Sequence, residues 1–282
     1  MKVYIQCNRR QHLAAKVSEY TFKKFNLDTE IILIEECDFF KKLKNQKYLR
    51  NGKKTVYKDD LQSFTLLRFY IPSIHQGKED FLIVDPDVFA IRNPISIKHN
   101  FNNENNLCCT YYKHNPRTEV MYFNDINSSW NFEKILFDLL NFNLDYKDLF
   151  NLKFKNQNLN LNQIEHKYNH HDQILQDTVL LHTTKRISQP WKLDLKIDFE
   201  RNTSLKNLLI NNLKKFFGLK YNEEITTDKY IMHENKDVFE YLLKIFSEAI
   251  SSNVINEDEI TNSILNKYLS KKFIDQVKGY DN

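Results

Sequence analysis

Apolar positions recur along the chain at two spacings, and in its first half the two alternate. Residues 3–5 and 31–34 are short β-branched runs, and between them Leu13, Val17 and Tyr20 fall at i, i+4 and i+7, as on one face of a helix. A β-α-β opening is predicted. Phe64, Leu67 and Ile71 at i, i+3 and i+7 predict a second helix, ended by Pro72. Phe81-Leu-Ile-Val84 is a continuous apolar run, the pattern of a strand buried on both faces. Residues 120–123 predict another strand, and Phe132, Ile135, Leu136, Leu139 and Leu140 an amphipathic helix. Residues 141–169 are rich in Asn and Lys with weak periodicity and read as loops.

Beyond Trp191 the helical period takes over. Leu205, Leu208, Leu209, Leu213 and Phe216 form a stripe closed by Gly218, a predicted C-cap, and Val238, Leu242, Ile245 and Ala249 form another. Asn256 with Glu259 three residues on predicts a capping box opening a last helix. The fold class is therefore α/β, with an α/β domain over residues 1–199 and a small helical region over 200–282.

Composition narrows the function. No apolar run is long enough to span a bilayer, and the N-terminus enters a strand at once, so a cytoplasmic protein is expected. Cys7, Cys37, Cys108 and Cys109 form no Cys-x-x-Cys pattern and read as reduced thiols. The four glycines form neither a P-loop nor a Gly-x-Gly-x-x-Gly fingerprint. A net charge of +4 is too mild for a dedicated nucleic-acid binder. The charge is nevertheless concentrated, because residues 41–58 carry seven lysines and Arg50 with no acid. That segment is either a solvated loop or helix face, or an attractor of phosphates, anionic glycans or the inner membrane surface, which leaves a peripheral membrane contact open.

The chemistry centres on Asp85-Pro86-Asp87, at the C-terminal end of the 81–84 strand. Open α/β sheets bind ligands at the carboxyl ends of their strands. Carboxylates one residue apart share a face of an extended chain and can hold one hard cation, while Pro86 marks where sheet pairing stops. Alone, the pattern is more often that of a turn.

The order of motifs around it resembles the glycosyltransferase family 8 proteins, the group that includes glycogenin and the bacterial lipopolysaccharide galactosyl- and glucosyltransferases. Thr65-Leu-Leu-Arg68 and Phe81-Leu-Ile-Val-Asp85-Pro-Asp87 look like that family's helix and the strand ending in Asp-x-Asp. Val120-Met-Tyr-Phe123, Tyr168-Asn169, and His182 through Pro190-Trp191 look like its following strand, Trp-Asn, and His with Pro-Trp.

The resemblance implies a GT-A type, Rossmann-like nucleotide-diphospho-sugar transferase fold. It implies transfer of a hexose from a nucleotide diphosphate sugar, a UDP-sugar by expectation, with retention of configuration, to a glycan, lipid-linked or protein acceptor. Asp85, Asp87 and His182 match the metal ligands, with Mn²⁺ favoured over Mg²⁺ by the imidazole nitrogen. Arg68 matches a contact to donor sugar or diphosphate, and Asn8 and Gln11 lie where nucleobase and ribose are held. Lys185 and Gln189 stand where the family has Gly and the diphosphate-binding Lys, so one of Lys185, Arg186 and Lys192 is expected to replace that lysine, Lys185 or Arg186 before Lys192, which follows a tryptophan expected in the core. Asn156-Gln157 is a loose match to the family's Asp-Gln segment, and no nucleophile is named. A haloacid-dehalogenase-type phosphatase is disfavoured, because Phe89 stands where that family has threonine. A non-catalytic nucleotide-sugar or carbohydrate binder of the same fold is the alternative.

Overall fold

The computed structural model describes residues 1–76, 79–100, 107–124, 130–153, 160–199 and 205–280, so Asn156-Gln157 lies outside the described residues. The opening is the predicted β-α-β unit. β1 (Lys2–Cys7) and β2 (Asp28–Leu33) pair in parallel from Lys2 opposite Asp28 to Cys7 opposite Leu33, across α1 (His12–Lys23). Next come α2 (Asp38–Leu43), a hairpin of β3 (Lys47–Arg50) and β4 (Lys53–Val56), α3 (Leu67–Ile74), β5 (Phe81–Val84) and β6 (Val88–Ala90). β7 (Leu107–Tyr112), β8 (Asn115–Phe123), α4 (Phe132–Leu140), α5 (Tyr146–Phe150), β9 (Leu161–Gln163), β10 (His170–His171) and β11 (Leu180–His182) follow. The rest is helical: α6 (Leu205–Phe216), α7 (Glu223–Thr226), α8 (Lys236–Ser251), α9 (Glu257–Leu265) and α10 (Lys271–Tyr280).

The main sheet has the order β2-β1-β5-β8-β7-β9, with β8 antiparallel to both its neighbours and the other pairings parallel. Strand alternation sorts its side chains into two layers. Tyr4, Phe81, Ile83, Met121 and Phe123 join α3 and α4 in one core, while Val3, Ile5, Leu82, Val84, Val120 and Tyr122 face α1. A second sheet, β10-β11-β6, continues from the end of β5. The helices α8 to α10 share a third apolar cluster with Leu13 and Val17 of α1, Phe89, Leu181 and Trp191, so they complete the core behind α1. All four cysteines are buried and unpaired.

Three local expectations are corrected. Pro72 does not end its helix, which runs on to Ile74 with Pro72 inside it. A proline deprives only the carbonyl four residues back of its partner, and burial of Ile71 and Pro72 offsets that loss. Within residues 141–169, α5 and β9 replace part of the expected loop. Asp145 caps α5 by accepting from the N–H of Lys147 at 2.7 Å, but five residues are too few to show a period. The basic segment 41–58 is neither loop nor helix face alone, for it contains the β3–β4 hairpin.

Candidate metal and substrate site

β5 pairs on both sides until Val84, and the chain then leaves the sheet through Asp85-Pro86-Asp87. Asp87 is followed by β6, whose Val88 pairs with His182 of β11. This pairing brings the histidine to the aspartates from almost a hundred residues away. One ligand atom from each of Asp85, Asp87 and His182 lies within 4.8 Å of the others, and all three residues are buried.

Each is held from behind. Asp85 accepts from Gln6 Nε2 at 2.6 Å, and from Arg68 at 3.1 Å through Nε and 2.5 Å through Nη2. Those bonds use three of about four acceptor positions on a carboxylate and leave one for a cation. Asp87 Oδ2 accepts from Gln189 Nε2 at 3.2 Å. His182 Nδ1 lies 3.0 Å from Asn169 Oδ1, and Asn169 Nδ2 donates to Thr110 Oγ1 at 3.1 Å. Because an amide oxygen only accepts, Nδ1 carries the proton and Nε2 is left facing Asp87 Oδ1 at 3.5 Å. That separation is too long for a good hydrogen bond and close to the roughly 3 Å between neighbouring ligands on metal bonds of about 2.1 Å.

The protonation states follow from the crowding. Burial pushes the Asp85 carboxyl up to about 6, against the pull of Arg68 and His182, so it is ionised at neutral pH. Burial lowers the affinity of His182 for its second proton, but Asp87 and Asp85 outweigh it and raise the pKa to about 9. His171, with ring centroid 5.4 Å from that of His182, is driven down to about 4 by burial and by this neighbouring charge. A second proton on His182 thus balances the carboxylates where a divalent ion would.

The triad opens into a cavity of about 550 Å³. Arg68, Arg186, Gln11 and Gln189 line it, as do Arg50 and Asn51 from the hairpin and Tyr146, Lys147 and Phe150 from α5. Gln11 Oε1 is buried without a hydrogen-bond partner among the described residues. Asn8 does not line the cavity: its amide donates to Asp60 O, Leu61 O and Ser63 Oγ, and its Oδ1 accepts from the N–H of Gln11. It fixes the loop that carries Gln62 and Phe64 past the site. The three basic candidates separate. Arg186 lies in the cavity with its guanidinium 4.5 Å from the Phe199 ring centroid, Lys185 points out to an exposed pairing with Glu234, and Lys192 is fully buried against Asp198 at 2.6 Å.

No family model matches the chain, and no curated protein matches its sequence. Solved structures do match in part. The chain is similar to the galactosyltransferase LgtC in complex with donor and acceptor sugar analogues, at 10% identity over 68% of this chain and 89% of that one, with a TM-score of 0.43. It is similar to mouse xyloside xylosyltransferase 1 at 9% identity over 65% and 97%, TM-score 0.41. The glycosyltransferase GlyE of Streptococcus pneumoniae gives 16% identity over 90% and 65%, TM-score 0.44. Likeness this distant assigns no chemistry, which rests on the site itself.

Several site residues escape the sequence reading. Gln6 is one of an apolar strand's few polar residues, a signal that could have marked it. Glu119 stands opposite Asp85, whose N–H donates to its carbonyl at 3.0 Å, and it lines the cavity beside Arg117. It directly precedes the predicted 120–123 strand, and only the pairing of β5 with β8 reveals its neighbour. Lys147 has no local signature, and Arg50 is marked only by the basic run over residues 41–58.

Proposed function

We propose that this chain is a metal-dependent glycosyltransferase of GT-A type that moves a hexose from a nucleotide diphosphate sugar, a UDP-sugar in the first instance, to a glycan-type acceptor with retention. The observation that carries the reading is the convergence of Asp85, Asp87 and His182 at the carboxyl end of a parallel strand, on the wall of a cavity rimmed with arginines. Two carboxylates and an imidazole suit Mn²⁺. When bound there, the ion supplies Lewis-acid neutralisation of charge on the departing diphosphate.

The chain's own residues supply the rest. Gln6, Arg68, Gln189 and Asn169 hold the three ligands in fixed orientation, so little reorganisation is needed when the ion enters. Arg186 takes the place of the lysine that Gln189 displaces, with Arg50 and Lys147 adding positive charge to the cavity lining. The unpartnered Gln11 Oε1 is a ready acceptor for a nucleobase N–H or a ribose hydroxyl.

The test is thermal unfolding with a panel of nucleotide sugars, with and without Mn²⁺, followed by assay of sugar transfer or hydrolysis for any that stabilise. A donor at a hundred times its Kd stabilises by about 2.7 kcal/mol. The stabilisation should vanish in chelator and in Asp87→Asn, which keeps the fold. Stabilisation without turnover would leave a binding protein, and no response to any nucleotide sugar with metal would sink the reading.

A further inference from the structure

Helix α6 is built inside out. Leu209, Leu213 and Phe216 follow one another at i, i+4 and i+7 and share one face, which Phe217 and Leu219 extend past the helix end. Phe216 is 82% exposed, and the other four lie between 57% and 67%. Among the described side chains of α6 the fully buried one is polar: Asn211, half a turn away from the stripe, donates to Asn222 O at 2.6 Å and accepts from Asn222 N–H at 2.9 Å. Asn211 thus ties the helix to the segment that follows it, with Leu208 half-buried one turn earlier, while the Leu209, Leu213 and Phe216 stripe faces outward.

The charge around the stripe selects its occupant. Between residues 205 and 222 there are four lysines and no acid, and Lys214, Lys215 and Lys220 are exposed beside the apolar side chains. Apolar side chains flanked by lysines complement the interface of a bilayer containing anionic lipids, where the rings enter the acyl boundary and the ammonium groups meet the headgroup phosphates. A second copy of the stripe would meet this one with lysine against lysine. A groove lined by Lys214, Leu219 and Tyr221 runs from the end of α6 to Thr184 and Arg186, which also line the cavity.

We propose that α6 and the segment that follows it dock the protein on an anionic membrane surface. The experiment is co-flotation of the full chain with vesicles of phosphatidylcholine alone and with vesicles that also contain phosphatidylglycerol, at low and high salt. The chain should float with the anionic vesicles only, and less at high salt. L213D/F216D and K214E/K215E/K220E should each reduce the bound fraction by about tenfold or more. K42E/K44E, in the exposed part of the other basic segment, should leave it unchanged. Because the α6 side chains point outward, the melting temperatures of all variants should match wild type, which separates lost docking from lost folding. Equal flotation with both vesicle types, none with either, or loss in K42E/K44E alone would overturn the proposal. So would a wild-type dimer in gel filtration that L213D/F216D converts to monomer without any vesicle binding. None of these readouts depends on sugar transfer.

Discussion

Lys185, Arg186 and Lys192 are near neighbours in sequence with three different surroundings, and the chain's linear spacing cannot tell them apart. The short 3-10 turns on either side of Gln189 rotate them in different directions, and only the packed structure decides which reaches the cavity. Arg186→Ala should lower kcat/KM by about ten- to a hundredfold, since a charge-assisted contact to a phosphate contributes about 1.5–3 kcal/mol. Lys185→Ala, which breaks only an exposed pair, should leave kinetics and stability near wild type. Lys192→Ala should act through folding. It strips the partner from the Asp198 carboxylate, which Tyr230 OH also contacts at 2.5 Å, and should cost about 3–5 kcal/mol in urea unfolding. Asp85 and Asp87 were legible because an acid pair ending an apolar strand has a local pattern. His182 was legible only through the order of motifs, and Asn169, a member of that same order, acquires a physical role as the group that fixes the histidine's tautomer.

At the scale of elements, the hairpin of β3 and β4 reaches the site because one carboxylate ties it to α5. Asp145 caps α5 and accepts from the N–H groups of Asn51 at 3.1 Å and Gly52 at 2.7 Å, so Arg50 and Lys147 flank the cavity from elements sharing one anchor. Burial raises the Asp145 carboxyl, but the N–H groups of Gly52, Lys147 and Asn51 together outweigh it and hold the pKa below its ordinary value of 3.8. A depressed carboxyl pKa gives stability that is present above the ordinary value and is lost as the pH falls through the folded one. Asp145→Ala should therefore be less stable than wild type by about 1–2 kcal/mol at neutral pH. Urea titrations should show that gap closing as the pH falls below 3.8. The basic run over residues 41–58 marked the charge of Arg50 but not its place beside Lys147, which had no signal at all, since the hairpin and a five-residue helix meet only by long-range contact. Helix α6 shows the complementary limit: periodicity reveals which residues share a face, not which face turns inward.

For the whole molecule, the alternation of strand and helix predicted the α/β class and the helical C-terminal region. What it could not show is that α8, α9 and α10 have no core of their own, because shared burial with α1, Phe89 and Trp191 leaves no trace in local spacing. Trp130 packs in the cluster on one face of the sheet and Trp191 in the cluster behind α1. The fluorescence of Trp130→Phe and of Trp191→Phe should each report the same urea midpoint as circular dichroism of that variant, as one cooperative unit requires. Two separated midpoints would show that the helices unfold independently. The buried cysteines carry a further consequence. Burial raises the pKa of Cys7 and Cys108, and lifts Cys37 to about 11 and Cys109 to about 12, so no reactive thiolate is offered to solvent. With one sulfur on β1, one beside α2 and a vicinal pair on β7, alkylation becomes a clock. A maleimide pulse followed by mass spectrometry should leave the native chain unlabelled, and the order in which the sites gain mass as urea is raised would chart which part of the sheet opens first.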